Sequence, residues 1–210
     1  MSNTYLFYIH DPMCSWCYAF SRSWAALQQD LPDHIEVVYL LGGLAPDTTE
    51  PMPIAMQKTI QQAWQRIEQT VPGVSFNWEF WSRNTPIRST YPACRAILAA
   101  RKQRVENDQE MMQAIQMAYY QRAKNPSLPE TLLECANEIG LDVKIFAEDF
   151  VSAAIAKELQ QEIQQARNMG VNSYPSLRLM HDNAVVPISI DYRNHQTMLD
   201  EINLFVEKTQ

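Results

Sequence analysis

The chain has no excess of positive charge, no long apolar run and no dense set of cysteines, and each shortage removes a class of function. Lys and Arg number 17 against 24 Asp and Glu, a formal net charge of −7 over 210 residues. No basic footprint for nucleic acid or an anionic membrane surface is present, so neither partner is expected. No apolar stretch approaches the ~18 residues of a membrane span, the longest lying near 37–45. The first 21 residues carry no Lys or Arg, so a secretory signal with a basic leading region is not expected and the cytoplasm is the default location. Four cysteines do not make a disulfide scaffold, and a Cys pair in a cytoplasmic protein is expected to be functional and often reduced. At 46% hydrophobic, the chain can bury one sizeable core, or a core with an inserted subdomain.

What is present begins with Cys14-Ser15-Trp16-Cys17, directly after the apolar run Tyr5 to Ile9 and directly before a helical pattern with Trp16, Phe20, Trp24, Leu27 and Leu31 on one face. Cys14 is thereby expected at a helix start, where free backbone N–H groups and the positive end of the macrodipole favour a thiolate. Cys17 lies about one turn on, close enough for a disulfide and shielded by Trp16. The roles follow: Cys14 attacks a substrate disulfide and Cys17 resolves the mixed disulfide. A zinc site would need two more ligands, and Cys94 and Cys135 stand alone in helical patterns as buried small hydrophobes. A structural bridge closing so short a loop would remove little unfolded-chain entropy. No metal is expected.

Glu36 to Leu41 is a second apolar run, giving a βαβ unit with buried parallel strands. From about Pro51 to Met169 the pattern is helical, four or five helices, with a start near Ser89 or Thr90, breaks at Pro126 and Pro129, a stop at Gly140, caps at Asp142 and Ser152, and a further stop at Gly170. Leu177 to Met180, a turn at 181–183 and Ala184 to Ile190 read as a hairpin, its second strand at an edge because Pro187 cannot donate. A helix with Met198, Leu199, Ile202, Leu204 and Phe205 closes the chain.

This order, with 10–18 (HDPMCSWCY), 41–46 (LGGLAP), 88–96 (RSTYPACRA) and 170–176 (GVNSYPS), resembles the DsbA-like branch of the thioredoxin superfamily, and within it the FrnE-like predicted protein-disulfide isomerases of bacteria. The resemblance implies an α/β thioredoxin-like fold with a large helical insertion: residues 1–45 and 170–210 as the thioredoxin-like domain and 46–169 as the inserted helical domain. It implies that Pro175 is cis and faces the dithiol, leaving the Tyr174 backbone to pair with an extended substrate. Trp16, Tyr174 and Pro175 are then the substrate-binding candidates. The Ser15-Trp16 dipeptide lacks the histidine of strongly oxidising members, so a less oxidising couple than DsbA is expected. The implied function is a thiol:disulfide oxidoreductase or isomerase acting on protein or small-molecule disulfides, with no tightly bound cofactor, and with glutathione or a thioredoxin system as reductant and glutathione as a possible co-substrate. Two alternatives stay open: a glutathione-dependent transferase or isomerase like the kappa-class transferases and 2-hydroxychromene-2-carboxylate isomerases, and a thiol module that binds metal or a partner without turnover.

Four further groups are ambiguous on sequence. Arg83 and Arg88 are candidates for a glutathione carboxylate or are merely solvated. His10 is a proton shuttle or a structural histidine, and Asp11 a capping or connector residue. The aromatic group Trp64, Phe76, Trp78, Phe80 and Trp81, with Met52 and Met56, reads chiefly as packing.

Overall fold

The structure, a computed structural model, describes residues 4–182 and 184–209. Its central sheet has the order β2-β1-β3-β4, formed by β1 (Thr4–His10), β2 (Ile35–Leu41), β3 (Ser176–His181) and β4 (Ala184–Ile188). Strands β1 and β2 run parallel, joined across α1 (Ser15–Asp30), with Tyr8 opposite Tyr39 and His10 opposite Leu41. Strand β3 is antiparallel to β1, and β4 to β3. Pro187 sits on the edge strand, where a missing N–H costs no ladder bond. Of the hairpin turn, Asp182 has φ +46°, and Asn183 lies outside the described residues.

Alternation along β1 sends successive side chains to opposite faces. Leu6 and Tyr8 join Phe20, Trp24 and Leu27 of α1 and Met198 and Ile202 of α9 (His195–Thr209) in one buried cluster. Phe7 and Ile9 join Leu40 with Ala166 and Val171 on the other face. The sheet is therefore a central layer, covered on both sides along β1 except at the half-buried Tyr5. In α9, Leu204 is 52% exposed while Ile202 and Val206, one turn apart, are buried; it lies off the apolar stripe and does not take part in the closing face.

Between β2 and β3 the chain is helical: α2 (Ile54–Thr70), α3 (Phe80–Arg83), α4 (Tyr91–Gln103), α5 (Asn107–Tyr120), α6 (Pro129–Glu138), α7 (Val143–Phe150) and α8 (Ala153–Asn168). Seven segments replace the four or five read from periodicity, because apolar spacing does not reveal where one helix ends unless a cap marks it, and α3 is a single turn. Where caps exist the reading holds. Asp142 Oδ1 accepts from the N–H groups of Lys144 at 2.9 Å and Ile145 at 3.0 Å, and Ser152 Oγ accepts from Ile155 at 3.2 Å. Gly140 (φ +74°) and Gly170 (φ +70°) follow helix ends in the left-handed conformation that glycine adopts without strain. Helix α8 supplies Ala166 to the second face of the sheet and so leads the chain back to β3. Trp64, fully buried, stacks on Phe76 at 4.6 Å between centroids and meets Trp78, Phe80 and Trp81, which makes this group the aromatic core of the helical region.

Candidate active site

Cys14 lies at the C-terminal end of β1, where the chain turns into α1. It is the N-cap of that helix, in an extended conformation (φ −82°, ψ 115°), and its side chain makes no capping bond. Its N–H donates to the Asp11 carbonyl at 3.0 Å and its carbonyl accepts from Tyr18 N–H at 3.1 Å, which closes the turn and begins the helix. Both thiols are free. Cys14 is 7% exposed and Cys17 fully buried. The two sulfurs behave oppositely. Hydrogen bonding by the Cys17 side chain, helped by the N–H groups of Cys17 and Trp16, lowers the Cys14 pKa in spite of burial. Burial, then the neighbouring Cys14, holds the Cys17 thiol well above its usual range. The pair contains one thiol prepared to ionise and one kept protonated until needed.

The loop before β3 closes over Cys14. The Tyr174–Pro175 bond is cis, and the Tyr174 carbonyl accepts from the Cys14 S–H at 3.4 Å. The Tyr174 hydroxyl donates to the Gly42 carbonyl at 2.6 Å. A Cβ at Gly42 would come within 2.0 Å of the Tyr174 ring, so glycine is required at the end of β2 for this ring to lie there. Trp16 packs against Tyr192, 5.1 Å between ring centroids.

A cavity of about 240 Å³ lies at Cys14, lined among others by Trp16, Tyr174, Met52, Met56 and Arg88. The methionines assigned to packing are therefore divided: Met52 is buried and Met56 is 38% exposed at the rim, and both also line the site. The two arginines separate as well. Arg83 is exposed and pairs with Glu79 at 3.0 Å, whereas Arg88 lines the cavity beside the thiol.

His10 is buried and neither ring nitrogen has a partner among the described residues. Burial, with a contribution from the Arg101 charge, lowers its pKa to about 3, so it is neutral at physiological pH, which disfavours the shuttle reading. Asp11 is the connector. Its carboxylate accepts from Met13 N–H at 2.8 Å, Leu44 N–H at 2.7 Å and the Thr90 hydroxyl at 2.6 Å, joining the Cys14 loop to the segment after β2 and to the start of α4. Cys94 is buried, and its thiol also points at Asp11 Oδ2, at 3.6 Å. Sequence reasoning did not find this role of Thr90 and Cys94: their partner is 79 and 83 residues away, and no spacing rule spans that distance. Cys135 is a buried thiol raised to about 11, chiefly by burial.

A thioredoxin-like sheet carrying a Cys-x-x-Cys at the β1–α1 junction, opposed by a proline loop, defines a class. The thioredoxin family model matches residues 5–195, and the chain belongs to that family. Among curated proteins it is similar to the ClpXP adapter protein SpxH of Halalkalibacterium halodurans, 25% identical over 177 residues, covering 82% of this chain and 57% of that protein. It is also similar to SpxH of Bacillus subtilis, 27% identical over 149 residues, 68% of this chain and 50% of that protein. The chain thus spans about half the length of these curated relatives. Among solved structures, a candidate protein disulfide isomerase from Nitrosomonas europaea superposes with a TM-score of 0.86 at 23% identity, covering 99% of this chain and 100% of that one. The cytosolic disulfide reductase DsbM from Pseudomonas aeruginosa superposes at 0.75 with 24% identity, covering 98% of each chain; it has also been solved with GSH. These likenesses are of fold, and the fold is that of the DsbA-like proteins. No described helix is long and apolar enough to cross a membrane.

Proposed function

We propose that this protein is a thiol:disulfide oxidoreductase acting through Cys14 and Cys17. The observation that carries the reading is Cys14 at the uncapped start of α1, its pKa lowered by Cys17 and two N–H groups, at the mouth of a cavity. The Cys14 thiolate attacks one sulfur of a substrate disulfide, forming the mixed disulfide and releasing one thiolate. Cys17 then gives up its proton and attacks Cys14 Sγ, forming the Cys14–Cys17 disulfide and releasing the second thiolate. The substrate gains two electrons and two protons, and the dithiol is oxidised. A thiol reductant such as glutathione, or a thioredoxin system, restores it, so no tightly bound cofactor is needed. Run without net oxidation, the same exchange isomerises disulfides.

Trp16 and Tyr174 line the cavity and, with Pro175 beside them in sequence, are the substrate-binding residues of this reading, and Arg88 suits a carboxylate such as glutathione carries. Support for that co-substrate comes from the DsbM fold relative solved with GSH, and the description of DsbM as cytosolic supports a cytoplasmic location for this chain. In this reading 1–45 and 170–210 form the thioredoxin-like domain and 46–169 the inserted helical one. The test is the fraction of Cys14–Cys17 disulfide across glutathione redox buffers, read by mass after alkylation. A reversible two-electron transition is expected; a glutathione adduct on Cys14 with no internal disulfide overturns the mechanism. A Cys17→Ala variant accumulates mixed disulfides with substrates through Cys14, and a Cys14→Ala variant does not.

A second reading is favoured by the likeness to ClpXP adapter proteins: a binding module that uses the same surface without turnover. Absence of any redox transition, with retained capture of a ClpXP component, would support it.

A further inference from the structure

We propose that the buried Asp11 carboxylate, balanced by neutral donors alone, biases the Cys14–Cys17 couple towards its disulfide and so makes the reduced protein an electron donor. This inference rests on the redox reading above and adds the direction of electron flow to it.

Asp11 is 0% exposed. Its hydrogen-bond partners among the described residues are two backbone N–H groups, the Thr90 hydroxyl and the Cys94 thiol, with no Lys, Arg or His. Burial raises the Asp11 pKa, and these hydrogen bonds oppose that rise and favour the ionised form without cancelling its net charge. The charge is held in place relative to the sulfurs, because the Asp11 backbone carbonyl accepts the Cys14 N–H at 3.0 Å and one carboxylate oxygen accepts the Met13 N–H at 2.8 Å. A like charge on the same buried loop disfavours a second anion there. The neighbours respond accordingly. After burial, the Asp11 charge is the next cause that raises Cys94 and Tyr174; it contributes less to Tyr120 and Cys17, where a backbone hydrogen bond from Asp11 works the other way on Cys17, and it opposes the lowering of Cys14 by Cys17.

The consequence for redox poise follows from which state carries charge. The disulfide is neutral, whereas the reduced pair is stabilised to the extent that Cys14 exists as a thiolate. Thiol–disulfide proteins become strong oxidants when their reduced form is stabilised. A fixed anion at the dithiol acts in the opposite sense: it destabilises the thiolate of the reduced form and leaves the disulfide untouched. Asp11 acts through the sulfurs and not on the substrate, so it is a positioning residue.

The experiment compares wild-type and Asp11→Asn protein by two readouts. The first is the pH at which the Cys14 thiolate appears, followed by its ultraviolet absorbance. The second is the equilibrium constant for oxidation of the dithiol by glutathione disulfide. The expected result is a Cys14 thiolate that appears at lower pH, and an equilibrium constant about tenfold smaller, equivalent to a rise of about 30 mV. A folded Asp11→Asn protein in which both quantities match wild type, or move the other way, overturns the proposal. If that variant does not fold, Thr90→Val decides: losing its strongest hydrogen bond raises the Asp11 pKa further, so the low-pH range in which the carboxyl is neutral and both quantities approach the values expected for Asp11→Asn should extend to higher pH than in wild type, and an unchanged range overturns the proposal. The thiol titration requires no turnover. A wild-type protein whose thiol titrates but which forms no reversible disulfide therefore overturns the redox reading, not the electrostatic one.

Discussion

Helices α7 and α8 begin on Asp142 and Ser152, whose side chains accept the helix's own first N–H groups, whereas α1 begins on Cys14, whose sulfur makes no capping bond. The difference separates two uses of the same geometry. In α7 and α8 an oxygen of the capping side chain closes the first donors; α2 to α6 also start without a side-chain cap, so what sets α1 apart is the thiol at that position. Helix α1 leaves part of that donor set to whatever charge develops on Cys14, and the backbone N–H groups of Trp16 and Cys17 are among the causes that lower its pKa. On the proposed redox reading, the donors left open at the start of α1 serve the Cys14 thiolate rather than a cap.

Cys14→Ser tests this reading most severely. Disulfide exchange should be lost completely, while the serine oxygen supplies the missing cap and raises unfolding stability by ~0.5–1 kcal/mol, measured by urea unfolding. An unchanged or lower stability would mean that the α1 start was not deficient. Gly42→Ala should have the next largest effect. The new Cβ meets the Tyr174 ring, so the 2.6 Å bond to Gly42 breaks and the proline loop shifts. A stability loss of ~1–3 kcal/mol and slower thiol exchange are expected from thermal unfolding and single-turnover kinetics. Asp142→Ala should cost ~1 kcal/mol and leave the Cys14 titration unchanged; a shift in that titration would show that the two helix starts are not independent.

The smallest effect is in pH. Alkylation of Cys14 should fall as pH drops through a pKa below the ordinary thiol range, while Cys17 stays unreactive through neutral pH. Because the folded pKa of Cys14 is depressed, its contribution to stability is present above the unfolded pKa and is lost as pH falls through the folded one. Asp11 and Glu162 are raised, chiefly by burial. Their contributions have the opposite sign, present below the ordinary carboxylate range and lost as pH rises through the folded values. Urea midpoints of wild type and Asp11→Asn between pH 4 and 8 should therefore converge towards pH 4.

Asp142, Ser152, Gly140 and Gly170 were legible in the sequence because a cap is a local bargain between a side chain and N–H or C=O groups two to four residues away. The dithiol was legible for the same reason: strand, turn and helix start are contiguous. The number of helices between β2 and β3 was not, because α3 is a single turn that no periodicity can delimit. The aromatic group around Trp64 was read as packing and is packing, but the second role of Met52 and Met56 as cavity wall depended on where α2 lies against Cys14.

The sequence by itself determined the order of the strands, the position of the Cys14-x-x-Cys17 pair at a strand-to-helix junction and the helix ends that carry a cap or a glycine stop, because periodicity and capping act over a few residues. Tertiary structure alone decided which arginine lines the cavity, that His10 is buried with no hydrogen-bond partner for its ring among the described residues, and that Thr90 and Cys94 meet Asp11. Those outcomes depend on burial and on contacts between residues some eighty positions apart, and only the packed chain sets either.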